Sequence, residues 1–227
     1  GGTKKLADKW FSGTRPTELE DYKSLTGENG TILVALTDTD PPFCYREGDI
    51  LAGFDVEYII LFAREYGYKL ELSAFDFSFL LGNVQSGKCD LAIGGITVTE
   101  ERKEAVNFTD TYYESPVVMV TKGYDSGKTY LSDLSGKKIG VMTGSIQAVM
   151  MPELIPDATY MEFNSVSDLI VALNSKKIDA FGCDESLYTS MLWEGQAVDR
   201  IDEPLGESNY GIIFPKGKKL DLQQKMN

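Results

Sequence analysis

From residue 30 onward, short runs of apolar and β-branched residues alternate with longer stretches whose apolar positions recur every three or four residues. The short runs suit strands and the longer ones amphipathic helices, an alternation that predicts βαβ units and a mainly parallel sheet. The first series is a strand over 31–36, a helix over 55–66 with Ile59, Ile60 and Phe62 turned inward, and a strand over 69–73. It continues with a helix over 79–85, a strand over 89–93, a helix after Thr99 and a strand over 117–121. A second series has strands over 138–142, 159–163 and 178–182, with helices over 146–154, 166–175 and 185–193. The class is therefore α/β, arranged as two half-molecules. The stretch Val84–Asp90 is echoed by Leu173–Asp179, each closing a helix and opening a strand. A repeated half-molecule and the ordinary helix-to-strand grammar of α/β chains both account for the echo.

The first thirty residues differ. Residues 3–11 read as a short amphipathic helix that Ser12-Gly13-Thr14-Arg15-Pro16 breaks, and 12–29 read as a linker.

Composition narrows the function. The chain has 227 residues, 42% hydrophobic and 25% charged, with no apolar run long enough to cross a bilayer. Asp and Glu outnumber Lys and Arg by 35 to 22, and the formal charge of −13 argues against nucleic acid as a partner. Histidine is absent, which removes Ser-His-Asp and Cys-His nucleophiles and most zinc or iron sites. No metal or cofactor is expected. Cys44, Cys89 and Cys183 show no CxxC spacing, and their odd number leaves at least one thiol unpaired. No charged and apolar leader opens the sequence, so an export signal has been removed or lies outside this stretch.

Ligands of open parallel sheets sit beyond the carboxyl ends of strands, and three turns there carry candidate chemistry. In the run from Gly94 to Arg102, two glycines admit a ligand to the backbone and Thr99 suits a helix cap. Arg102 then stands in the first turn of a helix, where a cation gains from a nearby anion. It reads as a two-pronged clamp for a carboxylate or as a salt-bridge partner of Glu101 or Asp110. In Met142-Thr143-Gly144-Ser145-Ile146-Gln147 a strand again runs through glycine into a helix start. Its free N–H groups suit an anion, and Ser145 equally suits a cap. In Gly182-Cys183-Asp184-Glu185, Asp184 is either the cap of the next helix or the partner of a ligand ammonium. An amino acid leaving water loses hydration at two opposite charges, so a closed site needs one fixed cation and one fixed anion. Phe43, Phe75 and Phe77 offer core packing or cover for a ligand's aliphatic part. Asp38 and Asp40 offer either recognition of a polar side chain or a turn before Pro41-Pro42.

The motifs Gly53-Phe54-Asp55-Val56, Phe75-Asp76-Phe77-Ser78, Asp90 to Arg102, Val106 to Asp110, Leu134 to Val141 and Tyr210 to Gly217 follow one another in order. In these stretches the chain resembles the type II periplasmic solute-binding proteins of the polar amino acid family, which serve ABC transporters, and most of all their glutamine-binding branch. The resemblance covers 30–227. It implies a two-lobed type II periplasmic-binding-protein fold with a two-segment hinge, lobe 1 formed by 30–114 and 210–227 and lobe 2 by 115–209. It further implies that Arg102 binds the α-carboxylate and that Thr97 and the Gly95 backbone help hold the zwitterion. Asp184 would bind the α-ammonium, Ser145 and Ile146 would add backbone contacts, and Phe77 would stack on the ligand side chain. Asp38 matches an aspartate that reads a side-chain amide. Asp40 stands where many relatives carry an aromatic, and Met142 where glutamine binders carry lysine.

The implied function is extracytoplasmic capture of a polar L-amino acid, glutamine first, by clamshell closure, for delivery to an ABC transporter membrane permease. The protein would sit in the periplasm or at the outer face of the membrane, tethered or not. A ligand-sensing domain of a membrane receptor or kinase, and a dehydratase using a carboxyl such as Glu185 as general acid, are the alternatives. Gly2 to Phe11 looks like the family's C-terminal helix placed before its first strand. That suggests either a monomer or a tandem or swapped domain whose helix packs on its own or a neighbouring lobe 1.

Overall fold

The computed structural model describes residues 22–123 and 130–227, and the chain divides into two compact units. Unit 1 takes the chain as far as Tyr113 together with Asn209–Asn227, and unit 2 is Glu114–Ser208. The helix expected over 1–11, and the linker as far as 21, lie outside the described residues. The rest of the linker holds a 3-10 turn, Tyr22–Ser24, and Tyr22 and Leu25 pack on the core of unit 1.

Unit 1 runs through β1 (Thr31–Leu36), β2 (Thr39–Asp40), β3 (Cys44–Glu47), β4 (Ile50–Ala52), α1 (Phe54–Tyr66), β5 (Lys69–Ala74) and α2 (Leu80–Gln85). It continues with β6 (Leu91–Ala92), α3 (Glu100–Ala105) and β7 (Val106–Phe108). The chain then leaves through β8 (Tyr113–Lys122). Unit 2 contains β9 (Lys138–Met142), α4 (Ile146–Leu154), β10 (Thr159–Phe163), α5 (Val166–Asn174), β11 (Ala180–Asp184), α6 (Glu185–Trp193) and β12 (Val198–Arg200). β13 (Glu207–Tyr210) carries the chain back to β14 (Ile213–Pro215) and α7 (Leu220–Met226). Both passages between the units thus occur inside strands, β8 and β13.

The main sheet of unit 1 has the order β5-β1-β6-β14-β7. β1 is parallel to β5 and β6, whereas β14, arriving from the far end of the chain, runs antiparallel to β6 and β7. In unit 2 the order is β10-β9-β11-β8-β12, with β9 parallel to β10 and β11, and β8 antiparallel to β11 and β12. The sheets are thus mainly parallel, as expected, with one strand on each main path, β14 or β8, running against the others. Each antiparallel strand lies next to a passage of the chain between the units.

Both sheets are covered on two faces, which explains why their strands read as nearly continuous apolar runs. Alternate residues of β1 go to different sides: Ile32, Val34 and Leu36 pack with α1, while Ala35 packs with Leu80 and Val84 of α2. β8 does the same in unit 2, with Val118 and Val120 on one side and Val117 and Met119 on the other. Burying each such large side chain contributes about 1.5–3 kcal/mol.

Two expected strands are shifted, and one mechanism explains both. The strand expected over 89–93 shrinks to Leu91–Ala92, and that expected over 178–182 begins at Ala180 and reaches Asp184. In each case the preceding aspartate hooks the neighbouring strand: Leu33 N–H donates to Asp90 Oδ2 at 2.9 Å, and Lys138 N–H to Asp179 Oδ2 at 2.9 Å. A left-handed residue stands three positions before each, Gly87 and Lys176. The sequence echo is thus a repeated turn with a repeated job. The small antiparallel sheet β2-β3-β4 was not anticipated, because Pro41-Pro42 and Gly48 read as loop while its strands are only two to four residues long.

α1 starts at Gly53, whose φ of 123° is open to glycine alone and whose missing Cβ would collide with the carbonyl of Phe43. Phe54 N–H and Asp55 N–H donate to the carbonyls of Pro42 and Phe43, fixing the helix start on the β2–β3 connection. Gly53→Ala is expected to destabilise unit 1 by about 2–4 kcal/mol, combining backbone strain with overpacking against rigid backbone. Urea denaturation of the variant and parent measures this directly.

Candidate functional site

The expected site residues fall into one group in each unit. In unit 1 the chain leaves β6, turns through Gly94 and Gly95, and reaches α3 at Thr99. Residues 209–211 hold this segment down: Val98 N–H donates to Asn209 O at 2.8 Å, Gly211 N–H donates to Ile96 O at 3.0 Å, and Thr97 forms an isolated antiparallel bridge with Tyr210. Thr99 caps the helix by accepting from Arg102 N–H at 3.1 Å.

The Arg102 side chain folds back over this capped turn. Its Nη1 donates to the carbonyl of Thr97 at 2.7 Å, and the guanidinium lies over the ring of Phe77, 5.8 Å from its centroid. Thr97, Phe77 and Arg102 are thereby brought together, as the motif resemblance implies. Burial pulls the guanidinium below its usual pKa, with Glu101 opposing, yet an arginine stays charged at any physiological pH. A partly desolvated cation of this kind is stabilised by anionic partners.

Gly95 sits beside this group at φ 65°, and a side chain there would meet Asp40 Oδ2 at 3.3 Å and the ring of Tyr210 at 3.5 Å. Asp40 is thus a neighbour of the Gly95 turn. Asp38 instead takes a hydrogen bond from Arg46 Nε at 2.6 Å. Arg46 lies on β3 and escaped sequence reasoning because the hairpin that brings it to Asp38 was not foreseen. Phe43 is buried in an aromatic cluster with Phe54, Tyr113 and Tyr210, so its role is packing.

In unit 2, Ser145 is the cap of α4: its hydroxyl accepts from Ala148 N–H at 3.3 Å and donates to Met142 O at 2.7 Å. Ile146 is the first residue of that helix. Asp184 occupies the cap position of α6 but makes no side-chain cap there. Its Oδ1 accepts instead from Gln147 Nε2 at 2.8 Å and from Ser208 Oγ at 3.0 Å. Gln147 and Ser208 are both buried. Through Gln147, which follows Ile146, the start of α4 and the carboxylate of Asp184 become one cluster. Sequence reasoning missed both partners; Gln147 stood in the motif, but only the juxtaposition of α4 with β11 gives it a role. Glu185, the candidate general acid, is paired with Arg200 Nη1 at 2.8 Å.

The three cysteines are buried free thiols, and burial followed by Asp55 pushes the Cys44 thiol far above its ordinary range. A cavity of 520 Å³ in unit 1 is lined by Thr31, Ile32, Tyr68, Asp90 and Lys219 among others, at the amino ends of β1 and β5. None of the expected site residues lines it.

Comparison with known proteins places this geometry. The sequence profile of the bacterial extracellular solute-binding proteins, family 3, matches residues 32–219. The chain belongs to this family. Among family 3 relatives, the arginine-binding extracellular protein ArtP of Bacillus subtilis is 41% identical over 141 residues, 61% of this chain and 55% of that protein. The match thus spans about half the length of that curated relative. The L-cystine-binding protein TcyJ of Escherichia coli is 34% identical over 203 residues, covering 88% of this chain and 76% of its own. In structure, the chain superimposes with a TM-score of 0.81 on an ancestral arginine-binding protein bound to glutamine, at 32% identity and covering 88% of this chain and 89% of that one. The fold is accordingly the two-lobed type II periplasmic-binding fold. Among the described residues no helix is long and apolar enough to cross a membrane.

The cap at Ser145 is open to a simple test. Ser145→Ala is expected to cost about 1 kcal/mol of stability, the usual value of a serine cap. Chemical denaturation monitored on unit 2 would register it as a lower midpoint with an unchanged slope.

Proposed function

We propose that the protein binds a polar L-amino acid outside the cytoplasm and presents it to the membrane permease of an ABC transporter. The observation that carries this reading is Arg102, anchored on the Thr97 carbonyl and the Phe77 ring and partly desolvated there. In this reading the guanidinium grips the α-carboxylate, Thr97 and the Gly95 backbone assist, and Phe77 covers the aliphatic part of the ligand. Asp184, oriented by Gln147 and Ser208, takes the α-ammonium, and the start of α4 at Ser145 and Ile146 adds backbone contacts. One zwitterion engaged by both groups favours a closed arrangement of the two lobes over an open one by its differential affinity.

The side chain of the ligand is read by Asp40, which lies beside the Gly95 turn. A carboxylate accepts from an amide or, with added charge, from a guanidinium, so glutamine and arginine both belong to the proposed class. The names of the relatives support this breadth: ArtP is called arginine-binding, and the ancestral protein has been solved with glutamine and with arginine. Binding is favoured over dehydration because Glu185, the acid a dehydratase would use, is occupied by Arg200.

A thermal-shift screen of the common amino acids tests the reading. A true ligand at a hundred times its dissociation constant adds about 2.7 kcal/mol of stability. Glutamine or arginine is expected to raise the melting temperature of the parent and to leave Arg102→Ala unmoved. A parent that responds to no polar amino acid, or an Arg102→Ala variant that responds like the parent, would overturn it.

A further inference from the structure

Behind the Gly95 turn lies a carboxyl that the binding scheme does not use. Asp55, in the first turn of α1, has no exposed surface, and its Oδ2 has no hydrogen-bond partner among the described residues. Its Oδ1 faces the Tyr112 hydroxyl at 3.5 Å. That hydroxyl also interacts with the backbone amide of Gly95, while the Tyr112 ring stacks on Phe54 at 6.1 Å and on Tyr58 at 6.3 Å. Asp40 lies beside Gly95, its Oδ2 3.3 Å from where a side chain there would begin. Asp55, Tyr112, Gly95 and Asp40 therefore form a short series leading from the interior of unit 1 to the expected ligand-reading residues.

A carboxylate with one oxygen unsatisfied and no water contact is far costlier than the neutral acid. The surroundings add to this cost. Asp40 on β2 presents a second negative charge, Cys44 on β3 is a buried neutral thiol, and the buried Tyr112 phenol is held neutral. Glu57 is a further buried carboxyl on the same helix, and Arg46 lies farther out on Asp38. We propose that Asp55 is a positioning residue: buried as a neutral acid, it anchors the Tyr112 hydroxyl against the Gly95 turn and leaves the negative charge of this corner on Asp40. Burial first, and Asp40 second, raise its pKa well above the ordinary aspartate value, with Tyr112 opposing. The consequence for ligand reading is that a second carboxylate charge does not stand behind Gly95 beside Asp40. This last step rests on the binding function proposed above, whereas the protonation state and the Tyr112 contact do not.

The sign of the pH effect follows. Unfolded Asp55 ionises near its ordinary value while the folded group still holds its proton, so its contribution to stability is greatest below the unfolded pKa and declines as pH rises toward the folded one. Asp55→Asn, which mimics the neutral acid, removes that decline. The melting temperature of Asp55→Asn minus that of the parent is expected to grow by about 3–5 °C per pH unit between pH 4.5 and 7. The carboxyl ¹³C resonance of Asp55, assigned by its loss in Asp55→Asn, is expected at the protonated position at pH 7 in ligand-free protein. Tyr112→Phe is expected to move the Gly95 amide resonance and to weaken binding of L-arginine or L-glutamine about tenfold, while Asp55→Asn binds within about threefold of the parent. An ionised Asp55 at pH 7, a pH-independent difference in melting temperature, or an unmoved Gly95 amide in Tyr112→Phe would each overturn the inference. If the parent binds neither amino acid, the proposed function fails, and the carbon and amide resonances still decide the role of Asp55.

Discussion

A partly desolvated guanidinium needs fixed partners, and supplying them for Arg102 organises much of unit 1. The turn that carries it is tied to residues 209–211 by backbone hydrogen bonds, capped by Thr99 and floored by Phe77. Residues 209–211 come from the distant return of the chain through β13, so the anchor exists only once both passages between the units are made. A cation held this firmly loses little further freedom when an anion arrives, which is the physical content of preorganisation. The same economy explains why the two glycines of the turn are tolerated: each lets backbone approach a neighbour, Leu80 and Thr37 for Gly94, Asp40 and Tyr210 for Gly95.

Unit 2 solves the complementary problem with neutral donors. Asp184 Oδ1 is oriented by an amide and a hydroxyl, those of Gln147 and Ser208. Asp38, in unit 1, is engaged directly by a cation, Arg46.

Much of the fold was legible because its strands and helices are regular and cooperatively buried. β1, β9, α4, β10 and α6 begin and end where the periodicity of apolar residues predicts. What escaped was short or non-local. β2 and β4 have too few residues to show a period, and β14 pairs with β6 across more than a hundred residues of chain. Of the chemistry, Arg102, Thr97, Phe77 and Asp184 stood out from motif and spacing, because glycine-bearing turns at strand ends are themselves local signals. Arg46, Gln147, Ser208 and Tyr112 did not, since each acquires its role from a partner distant in sequence.

The central claim is that the Arg102 guanidinium exists to hold an α-carboxylate. Calorimetric titration of the parent protein with arginine and glutamine, each beside the amine that lacks only its α-carboxylate, addresses that claim alone. Losing the carboxylate is predicted to weaken binding by about a hundredfold or more, the scale on which a buried charge left without its partner is penalised. Equal affinity for an amino acid and its decarboxylated amine would contradict it.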